Sequence, residues 1–225
     1  MITTEATITA VHREAPTLRR LQLRAAAPTF SFLPGQWIDL SRTADGPAGG
    51  YSMTNAPGEL GEGIFELGVR RSAHPVSRWL HDEAQVGDTV LVRGGQGTCT
   101  YEPTAGDDVV LVAGGVGITP LLSMARAARR APHPLKLTLL YCVRSPEDVA
   151  FRTELTALAA DARLRVVIRP TGDDPGGFVT TTDVFDLGGV GATYYLCGPR
   201  GMLNALSDGL REAGVPEAQL RFERW

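Results

Sequence analysis

The stretch VVLVAGGVGITPLLSMARAA, residues 109–128, decides the fold. Val109 to Ala113 form an uninterrupted apolar run, the composition of a parallel strand covered on both faces. A glycine turn follows, and then a helical pattern from Thr119 to Arg130. Such a turn suits a phosphate. Gly115 and Gly117 let the backbone approach an anion, and the first N–H groups of a helix carry the positive end of its dipole. Thr119 is placed to cap the helix, with Pro120 in the first turn, where proline is tolerated. Pro120 also stands where the dinucleotide fingerprint has its third glycine. The turn alone therefore leaves two readings, a nucleotide site or a tight turn.

Downstream, strand and helix keep alternating. KLTLLYCV (136–143), RLRVVIRP (163–170), TYYLCG (193–198) and QLRFERW (219–225) read as strands, with helices near 147–160 and 200–212. This is the pattern of a doubly wound α/β domain with a parallel sheet. Upstream the period changes. ATITAVHRE (6–14), TLRRLQLRA (17–25), GQWIDLS (35–41), IFELGVRR (64–71) and DTVLVRG (88–94) are short β-rich runs separated by proline and glycine turns. One helix, roughly 76–83, interrupts them. Short antiparallel strands with one inserted helix predict a small barrel. The expected fold is thus two-domain, an N-terminal antiparallel β-barrel followed by a C-terminal α/β doubly wound parallel sheet. YEPTAGDD (101–108) joins them, so the expected domains are 1–103 and 108–225.

Composition excludes several alternatives. The 225 residues are 43% hydrophobic and 21% charged, with a net charge of -3. Nothing in that balance points to nucleic acid or an anionic membrane. Cys99, Cys142 and Cys197 form no metal or iron–sulfur spacing, so no metal is expected. Reduced thiols, no 18-residue apolar run and no signal-peptide pattern at the start lead to the expectation of a cytoplasmic protein.

FLPGQWIDL (32–40), YSMTN (51–55), VSRWLHDEAQVGDTVLVRGGQG (76–97), GGVGITP (114–120), YCVRSPEDVAFRTEL (141–155) and LCGPRGM (196–202) recur in order, followed by a Glu-x-aromatic terminus. Together they resemble the ferredoxin-NADP reductase family over nearly the whole chain. The most specific pairing is G-x-G-x-x-P with the later C-G-P-x-x-M. The resemblance implies a flavin-binding barrel, a pyridine-nucleotide domain, and hydride passing from NAD(P)H to flavin N5. It resembles the compact reductases without an iron–sulfur domain, which give electrons to a separate acceptor.

The same resemblance suggests roles. Tyr51 packs by the flavin, Ser52 lies near its N5, and Met53 and Thr54 complete that segment. Ser77 opens a helix that holds a flavin phosphate, with His74, Pro75 and Val76 leading into it. Gly115, Gly117, Ile118, Thr119 and Pro120 take the coenzyme pyrophosphate. Arg144 and Ser145 meet the adenosine ribose. There an arginine would favour NADPH, and the nearby Glu147 and Asp148 would favour NADH. Cys197, Gly198, Pro199 and Met202 shape the nicotinamide floor. Glu223 brings a carboxylate near the nicotinamide, and Trp225 stacks on the flavin. Ser52, Cys197 and Glu223 are the candidate catalytic residues.

Two departures stand out. Gly49 replaces the arginine that grips the flavin phosphate, and His74 replaces a glycine. Losing a charge-assisted contact weakens binding by roughly 1.5–3 kcal/mol. Arg70, Arg71 and Arg78 are candidate substitutes. The expected cofactors are FAD or FMN, weakly held, with NADPH or NADH. The expected partner is an electron-acceptor protein or free flavin. A free-flavin reductase and a non-catalytic module of the same fold are the alternatives.

Overall fold

The computed structural model describes residues 2–172 and 177–223. The first half is a six-stranded antiparallel sheet: β1 (Ile2–Ala15), β2 (Leu18–Ala25), β3 (Trp37–Ser41), β4 (Ala48–Ser52), β5 (Ile64–Arg70) and β6 (Thr89–Gln96). Their spatial order is β4-β3-β6-β1-β2-β5. An antiparallel bridge from Met53 to Leu67 joins the two ends, so the sheet curls into the expected barrel. β1 is long enough to serve two neighbours. It pairs with β6 through residues 2–7 and with β2 through residues 6–15, and register shifts after Ile8 and Arg13 bend it between them. β4 was not anticipated as a separate strand, because five residues with two glycines carry almost no β signal. Helix α1 (Pro75–Asp82) caps the barrel, burying Val76, Trp79 and Leu80 in its core.

The second half is a five-stranded parallel sheet of β7 (Asp108–Gly114), β8 (Lys136–Val143), β9 (Leu164–Pro170), β10 (Thr193–Cys197) and β11 (Leu220–Glu223), in the order β11-β10-β7-β8-β9. Side chains alternate between two cores. Val109, Leu111, Ala113, Tyr195 and Cys197 share one with α2 (Ile118–Arg130) and α3 (Arg152–Ala159). Val110, Val112, Tyr194 and Leu196 share the other with α4 (Thr181–Phe185) and α5 (Arg200–Glu212). α3 begins later than the sequence pattern suggests. A 3-10 turn occupies Pro146–Asp148, and Phe151 sits in the left-handed region at φ 56°, so regular helix starts only at Arg152. The short α4 was missed. It rests on a capping box between Thr180 and Asp183 rather than on a long periodic run.

The two halves are tied together behind the sheet ends. Thr119, Ser123 and Arg126, at i, i+4 and i+7 of α2, all face the barrel. The Thr119 methyl fills the space where a Cβ on Gly68 would be. Ser123 Oγ donates to Asn55 O at 2.7 Å. Arg126 Nη1 donates to Glu66 Oε1 at 2.9 Å and to Thr54 O at 3.3 Å. Glu66 Oε2 lies 3.4 Å from Arg20, whose Nε meets Glu14 at 2.8 Å, and the other Glu14 oxygen accepts the Phe151 N–H at 3.2 Å. The connecting segment is strapped to both halves as well. Tyr101 N–H donates to Pro34 O, its hydroxyl donates to Asp107, and the Tyr195 hydroxyl donates to Thr100 O.

Candidate active site

In the parallel sheet the chain runs outward from β7 through β8 to β9, then returns to place β10 on the other side of β7. The crevice beyond the carboxyl ends of β7 and β10 is therefore the topological switch point, where such sheets bind ligands. Gly114–Gly117 and Cys197–Pro199 border it.

The glycines here do different things. Gly115 is exposed at φ +55°, and a Cβ there would meet nothing within 4 Å, so its backbone faces open space. Gly117 has an ordinary φ of -60° but is buried against the backbone of Cys197 and Gly198. Gly114 and Gly198 lie under Met202, with Pro199 over Gly114. The two motifs paired in the sequence thus form one packed unit. The helix cap differs from expectation. α2 starts at Ile118 with Gly117 as its cap, because the 3-10 turn Gly115–Gly117 runs straight into it. Thr119 lies inside the first turn, its hydroxyl donating to Val116 O at 2.9 Å. Ile118, Thr119 and Pro120 are all buried and the Ile118 N–H is bonded to Gly115 O, so an anion would meet this end through the backbone of the preceding turn.

At the end of β8, Arg144 is exposed and Ser145 Oγ donates to Asp148 at 3.2 Å. Glu147 is held below the usual carboxylate range, chiefly by a hydrogen bond from Ser145. The loop after β8 thus carries two carboxylates as well as the arginine.

On the barrel side, the Tyr51 hydroxyl and Ser77 Oγ are 2.9 Å apart and buried. The Tyr51 ring lies across Gly49, where a Cβ would come within 2.5 Å of its hydroxyl and 2.9 Å of the ring. With glycine at 49 the tyrosine ring settles against the backbone there, and a side chain at 49 would require the ring to shift. Burial raises the Tyr51 phenol, although the Ser77 hydrogen bond works the other way, so it stays neutral. Ser77 lies in the first turn of α1, whose cap His74 makes no side-chain cap hydrogen bond. His74 Nδ1 is buried without a partner among the described residues. Pro75 is exposed and Val76 is buried in the barrel core. Of the candidate cations, Arg71 is engaged with Asp82 at 2.8 Å, while Arg70 and Arg78 are exposed.

The rest of the 51–55 segment looks inward. Met53 is fully buried in the barrel. Thr54 has its N–H on Glu66 O, its hydroxyl on Glu66 Oε1 at 2.7 Å, and its carbonyl on Arg126. Ser52 is buried opposite Trp37.

β10 and β11 bring Cys197 and Glu223 side by side in register. Cys197 is buried. Burial raises the Cys99 thiol to about 12 and the Cys142 thiol to about 11, which removes both as nucleophiles. Glu223 crosses to the barrel, where Trp37 donates a side-chain hydrogen bond to it. Its Oε2 is buried and has no partner among the described residues. Burial pushes this carboxyl up to about 7, against the lowering effect of Trp37. Trp37 escaped the sequence reading although it lies in a quoted motif. Trp225 lies outside the described residues.

This carboxyl sets an expected pH dependence. With a folded pKa near 7 and an ordinary value of 4.5, the folded chain holds a proton that the unfolded chain has released. The cofactor-free protein should therefore lose stability as pH rises from 4.5 to 7. Glu223→Gln should flatten that part of the profile in urea unfolding at a series of pH values. An unchanged slope would show that another group carries it.

Among the described residues, no His, Cys, Asp and Glu group could hold a metal, and no helix is long and apolar enough to cross a membrane. The residues present fit two organic cofactors. The open backbone at Gly115, at a helix start on the switch point, fits a dinucleotide. The start of α1 beside Tyr51, Ser77 and His74 fits the phosphate of a flavin.

Known proteins agree. Residues 111–208 match the oxidoreductase NAD-binding domain family. The chain is 31% identical to the oxidoreductase NAD-binding domain-containing protein 1 of Danio rerio, covering 94% of this chain and 88% of that one. The Amycolatopsis cytochrome P450 reductase GcoB superposes with a TM-score of 0.87 at 29% identity, over 99% of this chain and 69% of that one. The ferredoxin reductase of a carbazole 1,9a-dioxygenase gives a TM-score of 0.80 at 27% identity, over 98% and 68%. With barrel, switch-point crevice and relatives in agreement, the chain belongs to the ferredoxin-NADP reductase family, as an NAD(P)H-dependent flavin oxidoreductase.

Proposed function

We propose that the protein passes electrons from NADH, through FAD, to a separate redox protein in the cytoplasm. The observation that carries this reading is the meeting of the two halves at Glu223 and Trp37, beside Cys197 and the glycine crevice. That meeting sets the coenzyme-side strand ends against the barrel. The flavin unit is assigned to 1–103 and the nucleotide unit to 108–225. When bound, the two cofactors supply the chemistry, a hydride transfer from the nicotinamide to the flavin.

The protein supplies binding and orientation. The backbone of the Gly115–Gly117 turn that leads into α2 holds the coenzyme pyrophosphate. Cys197, Gly198 and Pro199 form the floor under the nicotinamide. Tyr51 and Ser52 hold the flavin edge, and Ser77 with the start of α1 takes its phosphate. Where it is ionised, the Glu223 carboxylate would favour positive charge on a bound nicotinamide. NADH is preferred because Glu147 and Asp148 flank Ser145, where they accept ribose hydroxyls and repel a 2′-phosphate. The reduced cysteines suit a reducing compartment. The relatives named a P450 reductase and a dioxygenase ferredoxin reductase suggest a protein acceptor.

A second reading, a free-flavin reductase, is favoured by one observation. Position 49 carries no cation, and the Tyr51 ring rests against its backbone. Purification followed by dialysis decides. The proposed function predicts a yellow protein that retains FAD, oxidises NADH with an artificial acceptor, and has a KM for NADPH at least about ten-fold higher. Colourless protein that turns over only with added flavin would establish the second reading. An NADPH preference would move the ribose contact to Arg144.

A further inference from the structure

The polar stripe on α2 does more than join two domains. A helix packed by apolar contacts alone can slide or rotate by fractions of a turn, because such contacts are not directional. α2 is different. Its barrel-facing line carries a methyl seated on Gly68, a hydroxyl on Asn55 O and a guanidinium on Glu66 and Thr54 O. Thr119 and Arg126 are seven residues apart, about 10 Å along the axis, so these contacts fix both translation and rotation. The partners are not arbitrary barrel atoms. Thr54 and Asn55 follow directly on Met53, Ser52 and Tyr51. The helix that opens at the coenzyme crevice is thereby bonded to the segment that continues the flavin-side strand.

The groups involved are costly to bury and are nearly all satisfied. Arg126 and Glu66 are almost completely buried, at 4% and 5% exposure. Glu66 accepts from Arg126 and Thr54 on one oxygen and faces Arg20 with the other, while its N–H donates to Asn55 Oδ1. Arg126 Nε makes no hydrogen bond but lies 3.4 Å from Glu154 of α3. Burial alone would lower the guanidinium pKa. The attraction of Glu66, Glu154 and Glu59 raises it instead, so it is charged at every relevant pH. Directional, buried contacts of this kind resist small displacements where an apolar surface would yield.

We propose that Ser123 and Arg126 are positioning residues for hydride transfer, fastening the coenzyme-side helix to the flavin-side segment at Thr54, Asn55 and Glu66. The proposal rests on the function proposed above. Neither side chain touches the crevice. They act through the placement of Gly115 and the start of α2 relative to Tyr51 and Ser52.

Two mild variants test it. Ser123→Ala removes the bond to Asn55 O, and Arg126→Lys keeps the charge but is about one bond shorter than the arm that places Nη1 on Thr54 O and Glu66, and it lacks the Nε that lies 3.4 Å from Glu154. Rapid-mixing flavin reduction by NADH should slow about ten-fold in each, because sub-ångström misplacement is enough to slow a pre-organised transfer. KM for NADH and FAD retention should stay within about two-fold, as expected when only placement changes. Amide exchange across 51–56 and 118–123, read on the same proteins without NADH, should accelerate. Wild-type reduction rates in either folded variant, or a loss matched by an equal rise in KM, would overturn the positioning role. An inactive wild type would instead overturn the function on which it rests.

Discussion

Gly117→Ala is expected to slow flavin reduction by NADH about 100-fold or more, the size of effect that a 1 Å misplacement produces. The backbone conformation is not the cause, since φ of -60° suits alanine. The cause is contact. A methyl at 117 would run into the carbonyl of Cys197 and approach Gly198 N at 2.9 Å, and both are backbone at the end of β10. No rotamer relieves such a clash. Either the 115–117 turn lifts from the sheet or the Cys197–Pro199 segment drops away. Each choice separates the proposed pyrophosphate site from the nicotinamide floor. The same strain is expected to destabilise the fold by about 1–3 kcal/mol. Gly115→Ala is the control. Its Cβ meets no atom within 4 Å, so the fold loses only the roughly 1–2 kcal/mol of a left-handed alanine. If the coenzyme approaches there, KM for NADH rises. Stopped-flow reduction and urea unfolding of both variants separate the two glycines. Equal kinetics for Gly117→Ala and wild type would show that the packed unit does not govern transfer.

Arg126→Met should destabilise the protein by about 3–5 kcal/mol, the cost of leaving a buried charge without its partner. In the variant Glu66 would keep the Thr54 hydroxyl and an Arg20 contact of 3.4 Å, but would lose its 2.9 Å bond to the guanidinium. Ser123 and Thr119 would still bind the helix to the barrel, so the expected result is a weakened but folded chain. Pairing the change with Glu66→Met should recover much of the loss, because two apolar residues strand no charge. Arg211→Met serves as the contrast. Its bonds to Glu217 and Asp208 are at the surface, where water screens such pairs and the loss should be far smaller. Urea unfolding with an unchanged m-value measures all three. A loss below about 1 kcal/mol for Arg126→Met would show that the buried network relaxes around the gap.

Much of this was legible without coordinates. The alternating runs of the first hundred residues and the strand–turn–helix repeats of the second correspond to the barrel and the parallel sheet. The exceptions have local causes. β4 contains two glycines and three other residues, α4 is one capped turn, and α3 waits for the left-handed Phe151. The site was legible in part. Gly115, Cys197 and Glu223 were marked by their motifs, and the structure groups them at the sheet ends. Met53 and Thr54 belong to the same motif, yet their polar groups are used up inside the protein.

By itself, the sequence determined what depends on neighbours along the chain: the two periods, the change of style near residue 101, and the order of the motifs. Turns, strands and helices are decided over a few residues, so composition and spacing carry them. Only the tertiary structure decided which glycine is open and which is clamped, because the clamp on Gly117 is a carbonyl eighty positions away. It also decided that Arg126 is a buried tie rather than a surface charge, and that Tyr51 fills the place at Gly49. Burial and charge pairing are properties of what comes to lie alongside a residue, and nothing in the local order of the chain records that.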